Sequence, residues 1–364
     1  MNILVLSWRD IANPSGGGAE VLTHELAKRW VRYGHNVTVF GASFHGAPAQ
    51  ECVDGVNIVR RGHSWDVHLC AWRHYSKQPP GTFDLILDQC HGLPFGTPLY
   101  VRERKALLVC EVAGEIWFQM YPWPVALIGA SLERLMLRLY RHVPTYTLAE
   151  STRQDLLHVG LAPSQLHILS TGLSWPSTER LPDKTPYPSL IFVGRMCPMK
   201  RVSLLLDVVS LLRRRIAGLR LWLVGRGSAY YMNRLRREAD RLGCSDAVTF
   251  FGYVPEPAKM ALLRSAWILI SASVREGWGL IINEANALGT PAVVCDVPGY
   301  RDSVQHGKTG LLAGHPTAQA MAHQVERLVL EPELYRRLQL EAWQASRARS
   351  WDASSSLLLR AAER

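Results

Sequence analysis

Two carboxylates, Glu276 and Glu284, bracket the run Glu-Gly-Trp-Gly-Leu-Ile-Ile-Asn-Glu, in which Gly277 and Gly279 break an apolar stretch. The residues before it, Trp267 to Ile270, read as a buried strand. Those after it, with Ile281, Ala285 and Leu288 at helical spacing and Gly289 beyond, read as a helix starting near Leu280. Glu276 thus falls in the turn ahead of the helix, and Glu284 falls on its first turn or just past it. A helix start carries backbone N–H groups that the helix cannot satisfy, and these attract anions and sugar oxygens. The stretch can therefore grip a polyhydroxylated ligand with phosphates close by. An acid favoured at this end by the helix dipole alone gives the same pattern, so support has to come from elsewhere in the chain.

That support is Gly194-Arg195-Met-Cys-Pro-Met-Lys200-Arg201, directly after an expected strand at Leu190–Val193. Glycine, arginine and then lysine entering a helix place two cations at the carboxyl edge of a sheet. Negative charge builds on a departing diphosphate as its bond breaks, and such cations neutralise it. Taken alone, Arg195 and Lys200 could be solvated surface cations; beside Glu276 and Glu284 the ligand-binding reading prevails. Val224-Gly225-Arg226-Gly227 repeats the strand-then-glycine theme but lacks the third glycine of a dinucleotide fingerprint. Gly16-Gly17-Gly18 fails as a fingerprint too, because it lies far beyond the first strand and no acid for a ribose ends the strand Asn36–Phe40. Either glycine run can be a plain turn or a close backbone approach to a phosphate or sugar.

The elements that must position these residues alternate. Ile3–Leu6, a Gly/Pro loop, a helix with Leu22, Leu26 and Trp30 on one face, and Asn36–Phe40 make a β-loop-α-β start. Strand patterns follow at Val56–Val59, Asp84–Leu87, Ala106–Val109 and Thr145–Leu148, and residues 60–80 read as a surface loop region. A helix at about 130–142 sets Leu132, Leu135, Met136 and Leu139 on one face and Arg134, Arg138, Arg141 and His142 elsewhere. It is either a core-facing helix with a solvated arginine face or an amphipathic helix that docks on anionic lipid. Residues 173–188 hold four prolines and no apolar period and read as a linker. Beyond it, strands at Leu190–Val193, Leu219–Val224, Val248–Phe251, Trp267–Ser271, Ala292–Cys295 and Gly310–Ala313 alternate with helices, the pattern of a parallel sheet covered on both faces. The expected fold is α/β: two Rossmann-like, doubly wound parallel-sheet domains facing a central cleft, with ligands at the carboxyl ends of the strands. The expected divisions are 1–172, the linker 173–188, a nucleotide-sugar domain 189–345, and a C-terminal helix within 346–364 packing back on the first domain.

The 364 residues suffice for two domains, and a formal charge of +10 suits phosphates, nucleotides or an anionic membrane face. Arginines are spread along the chain without the dense basic tract of a nucleic-acid arm, so no nucleic-acid partner is expected. The seven cysteines include no Cys-x-x-Cys pair and read as reduced thiols in a cytoplasmic protein. The N-terminal residues read as a strand rather than a signal peptide. No apolar run approaches a bilayer-spanning length, which leaves room only for peripheral contact at the inner face of a membrane.

With these residues in hand the chain resembles the family-4 retaining glycosyltransferases of the GT-B fold over nearly its whole length. The anchors are Gly17-Gly18-Ala19-Glu20, Gly194-Arg195 with Lys200, Val224-Gly225-x-Gly227, Phe251-Gly-Tyr-Val254 and the Glu276/Glu284 pair. Residues 82–151 resemble one bacterial subgroup, through Phe83-Asp84, Asp88-Gln89, Leu93-Pro-Phe-Gly-Thr-Pro-Leu-Tyr100, Glu115-Ile-Trp-Phe118 and Glu150-Ser-Thr152. The resemblance implies that Arg195 and Lys200, beside Gly194 and Gly225, hold a nucleotide diphosphate. It implies that Glu284 takes the ribose hydroxyls, Glu276 the donor sugar, and the main chain at Gly277, Trp278, Gly279 and Leu280 the sugar and phosphate. Tyr253 and Val254 would border the base, and Gly17 and Gly18 would close over the donor from the other domain. No Asp-x-Asp is present to hold a metal, and no cofactor is implied beyond the nucleotide-sugar co-substrate, with a UDP-sugar favoured. In such enzymes the acceptor hydroxyl attacks from the face the diphosphate leaves, so Glu276 positions rather than bonds. The subgroup carries a histidine near the donor sugar where this chain has Val109-Cys110-Glu111. A thiol does not donate a strong hydrogen bond as imidazole does, so Glu111 or His91 covers the role, or the acceptor side is unusual. Trp117, in a subgroup motif, is the first candidate to stack on an acceptor sugar.

The reading is a sugar transferase acting with retention on a small-molecule or lipid-linked acceptor, a cell-envelope glycolipid or polysaccharide ahead of a natural-product aglycone. Two rivals share the scaffold, a sugar-nucleotide 2-epimerase-like isomerase and a non-catalytic nucleotide-sugar-binding protein.

Overall fold

The computed structural model describes residues 1–175 and 179–362. The chain divides into two compact units, Met1–Gly172 with Ser350–Arg364, and Leu173–Arg349. Residues 176–178 of the stretch read as a linker, and 363–364 of the expected C-terminal helical segment, lie outside the described residues.

The first unit runs β1 (Asn2–Leu6), α1 (Gly18–Arg32), β2 (Asn36–Gly41), β3 (Gln50–Val53), β4 (Val56–Arg60), α2 (Val67–Ser76), β5 (Leu85–Cys90), β6 (Arg104–Val109), α3 (Ile116–Met120), α4 (Trp123–Arg138), β7 (Thr145–Thr147), α5 (Glu150–Val159) and β8 (Leu166–Ile168). Its eight strands lie in the order β3-β4-β2-β1-β5-β6-β7-β8. All pairs are parallel except the β3–β4 edge hairpin, an edge element the periodicity does not announce. The apolar strands β1 and β5 are buried on both faces, as crossover helices require. Leu22, Leu26 and Trp30 of α1 are buried as their spacing predicts.

Two expectations for this unit change. Residues 60–80 are not loop throughout, because α2 forms with Val67 and Ala71 buried and His74 stacked on Phe40 at 5.0 Å between ring centroids. The helix expected at 130–142 starts seven residues earlier, at Trp123, with Pro124 in its first turn, where a missing N–H costs nothing.

The second unit runs β9 (Ser189–Val193), α6 (Val202–Leu212), β10 (Arg220–Val224), α7 (Ala229–Arg241), β11 (Val248–Gly252), α8 (Glu256–Ser265), β12 (Ile268–Ser271), α9 (Leu280–Ala287), β13 (Ala292–Cys295), α10 (Tyr300–Ser303), β14 (Gly310–Ala313), α11 (Ala318–Leu330) and α12 (Pro332–Arg347). Six parallel strands are ordered β11-β10-β9-β12-β13-β14 around one large apolar core. The order reverses direction at β9 and β12, the place where such sheets open a crevice at their carboxyl ends. Within the proline-rich stretch, Lys184 donates to the carbonyls of Arg264 (2.9 Å) and Leu288 (3.3 Å) and to Thr290 Oγ1 (2.7 Å), fastening its part of that stretch to this unit.

The chain returns to the first unit as α13 (Asp352–Leu359). There Trp30 Nε1 donates to the Ser355 carbonyl at 3.1 Å, and Arg29 pairs with Asp352 at 2.7 Å. Gly172 lies flat against Trp351, whose ring would sit 2.5 Å from any Cβ at that position.

Candidate active site

In the second unit the loops after β9, β10, β11 and β12 meet at the sheet's carboxyl edge. The glycines among them interlock by backbone. The Gly194 N–H donates to the Val224 carbonyl at 3.0 Å and that of Gly225 to Gly252 at 2.7 Å. Gly225 has φ +135°, and a Cβ there would lie 1.9 Å from the Gly194 carbonyl oxygen. These two N–H groups are therefore occupied within the fold; what Gly194 and Gly225 provide is close approach of three strand ends.

Arg195 leaves β9 exposed and, among the described residues, makes no hydrogen bond or ion pair. Arg201, by contrast, is committed: at φ 45° it caps α6 and donates to the carbonyls of Ala272 (2.6 Å) and Ser273 (3.0 Å). With the Val274 N–H on the Met199 carbonyl at 2.9 Å, this fixes the β9 loop to the β12 loop. Lys200 Nζ meets Glu276 Oε1 there as an ion pair of two mostly buried side chains.

Glu276 is further held by Ser273 Oγ at 2.7 Å and Tyr300 OH at 3.3 Å, and its N–H donates to the Pro298 carbonyl at 3.1 Å. Tyr300 OH and Ser271 Oγ share a hydrogen bond at 2.6 Å. Burial, and next the charge of Glu276, hold the Tyr300 phenol well above its ordinary range, so it is a permanent donor. Gly279 caps α9 at φ +85°, a left-handed conformation, and a Cβ there would strike the Tyr300 ring at 2.7 Å. The helix begins at Leu280, as the glycine punctuation predicts, with Glu276 in the preceding turn. Trp278 Nε1 donates to Asn283 at 3.3 Å.

Glu284, on α9, faces α8. Lys259 Nζ lies 2.8 Å from its Oε2 and 2.7 Å from Glu256, with the Trp175 ring 5.0 Å away. The approach is a charge contact rather than an aligned hydrogen bond, and among the described residues Oε2 meets no hydrogen-bond donor in alignment. Burial raises the Glu284 pKa and Lys259 opposes that rise. Tyr253 is exposed beneath the Arg226 guanidinium, 4.0 Å above its ring, whereas Val254 packs on the core.

In the first unit, the carboxyl ends of β1, β5 and β6 gather the remaining expected residues. Gly17 and Gly18 open α1, and the Gly17 N–H is taken by Glu20 Oε2 at 2.6 Å. Glu20 Oε1 pairs with Arg9 at 3.1 Å, and Arg9 Nη2 lies 3.1 Å from His91 Nε2, at the end of β5. His91 also packs on Trp8 at 5.3 Å. Gln89 donates to the Ala19 carbonyl at 3.0 Å. Cys110 and Glu111 follow β6. Burial, then the charges of Glu111 and Glu20, push the Cys110 thiol up to about 12, so it stays protonated. Trp117 is anchored: its Nε1 donates to the buried Glu133 at 3.0 Å, and one ring face lies on Gly129, where a Cβ would come within 2.4 Å. Glu133 also accepts from the N–H groups of Ala113 (2.7 Å) and Gly114 (3.0 Å). Among the described residues no group of three or more His, Cys, Asp or Glu side chains could hold a metal ion.

Patterns described as glycosyl transferases group 1 and glycosyltransferase family 4 match residues 176–344 and 16–174. A D-inositol 3-phosphate glycosyltransferase of Thermomonospora curvata is 35% identical over 94% of this chain and 89% of its own length. The protein of the same description from Streptomyces griseus is 31% identical over 93% and 83%. The chain belongs to glycosyltransferase family 4. It is a glycosyltransferase of the GT-B fold. Sucrose-phosphate synthase of Thermosynechococcus elongatus matches 99% of the chain and 97% of that protein with TM-score 0.81 at 18% identity. Anabaena HepE, solved in complex with UDP-glucose, matches 99% of both chains with TM-score 0.76 at 16% identity.

In this glycosyltransferase several residues of the site escaped sequence reading. Tyr300, Ser271 and Ser273 surround Glu276, and Lys259 and Trp175 surround Glu284. Their only signals were proximity to recognised turns, such as Pro298-Gly299 before Tyr300.

Proposed function

We propose that this glycosyltransferase moves a sugar from a nucleotide-diphosphate sugar, a UDP-sugar first, to an acceptor hydroxyl with retention and without a metal ion. The observation that carries the reading is the pairing of each carboxylate at α9 with a lysine, Lys200 on Glu276 and Lys259 on Glu284, beside the unengaged Arg195. Glu276, oriented by Ser273 and Tyr300, accepts from the donor sugar's hydroxyls, and Glu284 from the ribose. Arg195 and Lys200 take the charge of the departing diphosphate, with the start of α9 adding its N–H groups. Tyr253 under Arg226 offers a flat face beside the base. The acceptor hydroxyl attacks from the diphosphate's side and gives its proton to the departing phosphate oxygen, so no enzyme nucleophile is required. In the first unit the acceptor-side residues proposed are Cys110, as a neutral thiol, with Glu111, His91 and Trp117.

The acceptor class proposed is a cell-envelope glycolipid or polysaccharide, ahead of a small natural-product aglycone, met in the cytoplasm. The relatives named above are described as acting on an inositol phosphate, which supports a polyhydroxylated acceptor. Thermal stabilisation by a panel of nucleotide sugars tests the donor, since tight binding raises the melting temperature by mass action. Turnover in chelator, with Glu276→Gln as control and the product's anomeric configuration read by NMR, tests the rest. A lack of any shift with nucleotide diphosphates or their sugars would sink the reading, and conversion of donor without acceptor would replace it with an isomerase.

A further inference from the structure

Helix α4 carries its bulk outward. Its inner face is Ala126, Gly129, Glu133 and Leu137, at helical spacing, and the small residues allow close packing on Trp117. The opposite side presents Trp123, Val125, Leu127, Ile128, Leu132 and Leu135, with Trp123 67%, Ile128 68% and Leu135 60% exposed. Phe118, Met120 and Tyr121 extend the same exposed apolar run back through α3. A core-facing apolar stripe, one of the two sequence readings of this helix, is thus ruled out. So much contiguous exposed apolar side chain marks an interaction site.

The charge pattern selects the occupant. Between Ile116 and Ala149 the only acidic residue is Glu133, and it is buried, fully engaged with Ala113, Gly114 and Trp117. Arg134, Arg138 and Arg141 are exposed at the C-terminal half of the face. A second copy on this face would set arginines against arginines, since the exposed acids Glu115 and Glu150 lie only at the two ends of the stretch. An anionic surface with an apolar interior satisfies both features: the leucines and isoleucine enter the acyl boundary, Trp123 and Tyr121 sit at headgroup level, and the arginines meet phosphates. No helix among the described residues is long and apolar enough to cross a membrane. We propose that the α3–α4 face docks this glycosyltransferase in-plane on an anionic lipid bilayer. The inference is independent of donor or acceptor identity.

Flotation of the intact chain with vesicles tests it, using phosphatidylcholine alone and phosphatidylcholine mixed with phosphatidylglycerol, at low and high salt. The expected result is binding to the mixed vesicles, weaker by about tenfold on neutral ones and in high salt, where charges are screened. Ile128→Glu with Leu135→Glu should abolish flotation. Arg134→Glu with Arg141→Glu should weaken it at least about tenfold, since each basic residue near an anionic surface contributes roughly fivefold. Melting temperatures report folding; should the apolar pair unfold, the exposed arginine pair carries the test alone. Equal binding to neutral and anionic vesicles, wild-type flotation by the arginine variant, or no flotation at all overturns the proposal. So does a dimer in light scattering that the apolar variant dissociates, which would assign the face to a second copy.

Discussion

Lys259 and Glu284 form an ion pair at 2.8 Å between α8 and α9, with both side chains mostly buried. Burial raises the Glu284 pKa and the lysine opposes that rise, favouring the carboxylate form that the proposed ribose contact requires. Lys259→Met leaves a buried acid without its cation and should cost about 3 kcal/mol in urea unfolding. The Glu284 pKa is already raised by burial and rises further in the variant. A carboxyl whose folded pKa exceeds its unfolded value gives stability that is present below the unfolded value and lost as pH rises through the folded one. The variant's stability should therefore fall more steeply than wild type as pH climbs above the ordinary 4.5. Its KM for the donor should rise with kcat little changed, the mark of lost uniform binding.

Arg195 separates charge from structure. It is exposed and unengaged among the described residues, so Arg195→Ala should leave the melting midpoint within about 0.5 kcal/mol of wild type. As a cation for the developing charge of the diphosphate it should lower kcat/KM by roughly a hundredfold. Unchanged turnover with an unchanged melt would remove it from the site.

How far the site is legible in the sequence depends on the distance over which a signal acts. The start of α9 and the place of Glu276 follow from two glycines and a local apolar period, all within one turn of chain. Lys259 meets Glu284 across two helices, and nothing in the spacing of α8 says what its polar face will touch. Helix α4 shows the sharper limit. Periodicity finds a stripe of leucines but not the side on which the core lies, and here Ala126 and Gly129 make the closer-packing face. The doubly wound sheets were readable because buried parallel strands are apolar throughout, whereas the short edge strand β3, with alternating exposure, carries no such run.

Gly225 tests the interlocked strand ends. Gly225→Ala places a Cβ 1.9 Å from the Gly194 carbonyl at φ +135°, combining backbone strain with a clash that only main-chain movement relieves. A loss of about 3–5 kcal/mol in denaturant unfolding is expected. Gly243→Ala, at φ +62° with open space around it, should cost only about 1 kcal/mol. Equal losses would show that φ alone matters at Gly225.

Tyr300→Phe deletes one hydroxyl that bridges Ser271 and Glu276. The lost hydrogen bonds should cost about 1–2 kcal/mol of stability. Because Glu276 keeps Lys200 and Ser273, its carboxylate stays in place but rotates more freely, and kcat should fall roughly tenfold with the donor KM nearly constant. A fall equal to that of Glu276→Gln would mean that the phenol itself touches the sugar.

Lys184 gives unit 2 a pH dependence of opposite sign to Glu284. Burial, and then the neighbouring charge of Arg264, lower its pKa from the ordinary 10.5 to about 7. A group depressed in the folded state gives stability that is complete above the unfolded pKa and lost as pH falls through the folded one. The melting temperature should thus climb between about pH 7 and pH 10, the interval over which the unfolded chain still binds this proton and the folded chain has released it. Lys184→Met removes the titrating group while keeping its aliphatic length, and forfeits the contacts to Arg264, Leu288 and Thr290. Its melting curve should be lower at pH 10 and flatter across the interval. A variant that keeps the wild-type slope would show that the lysine is charged in the folded protein, with those three oxygens standing in for water.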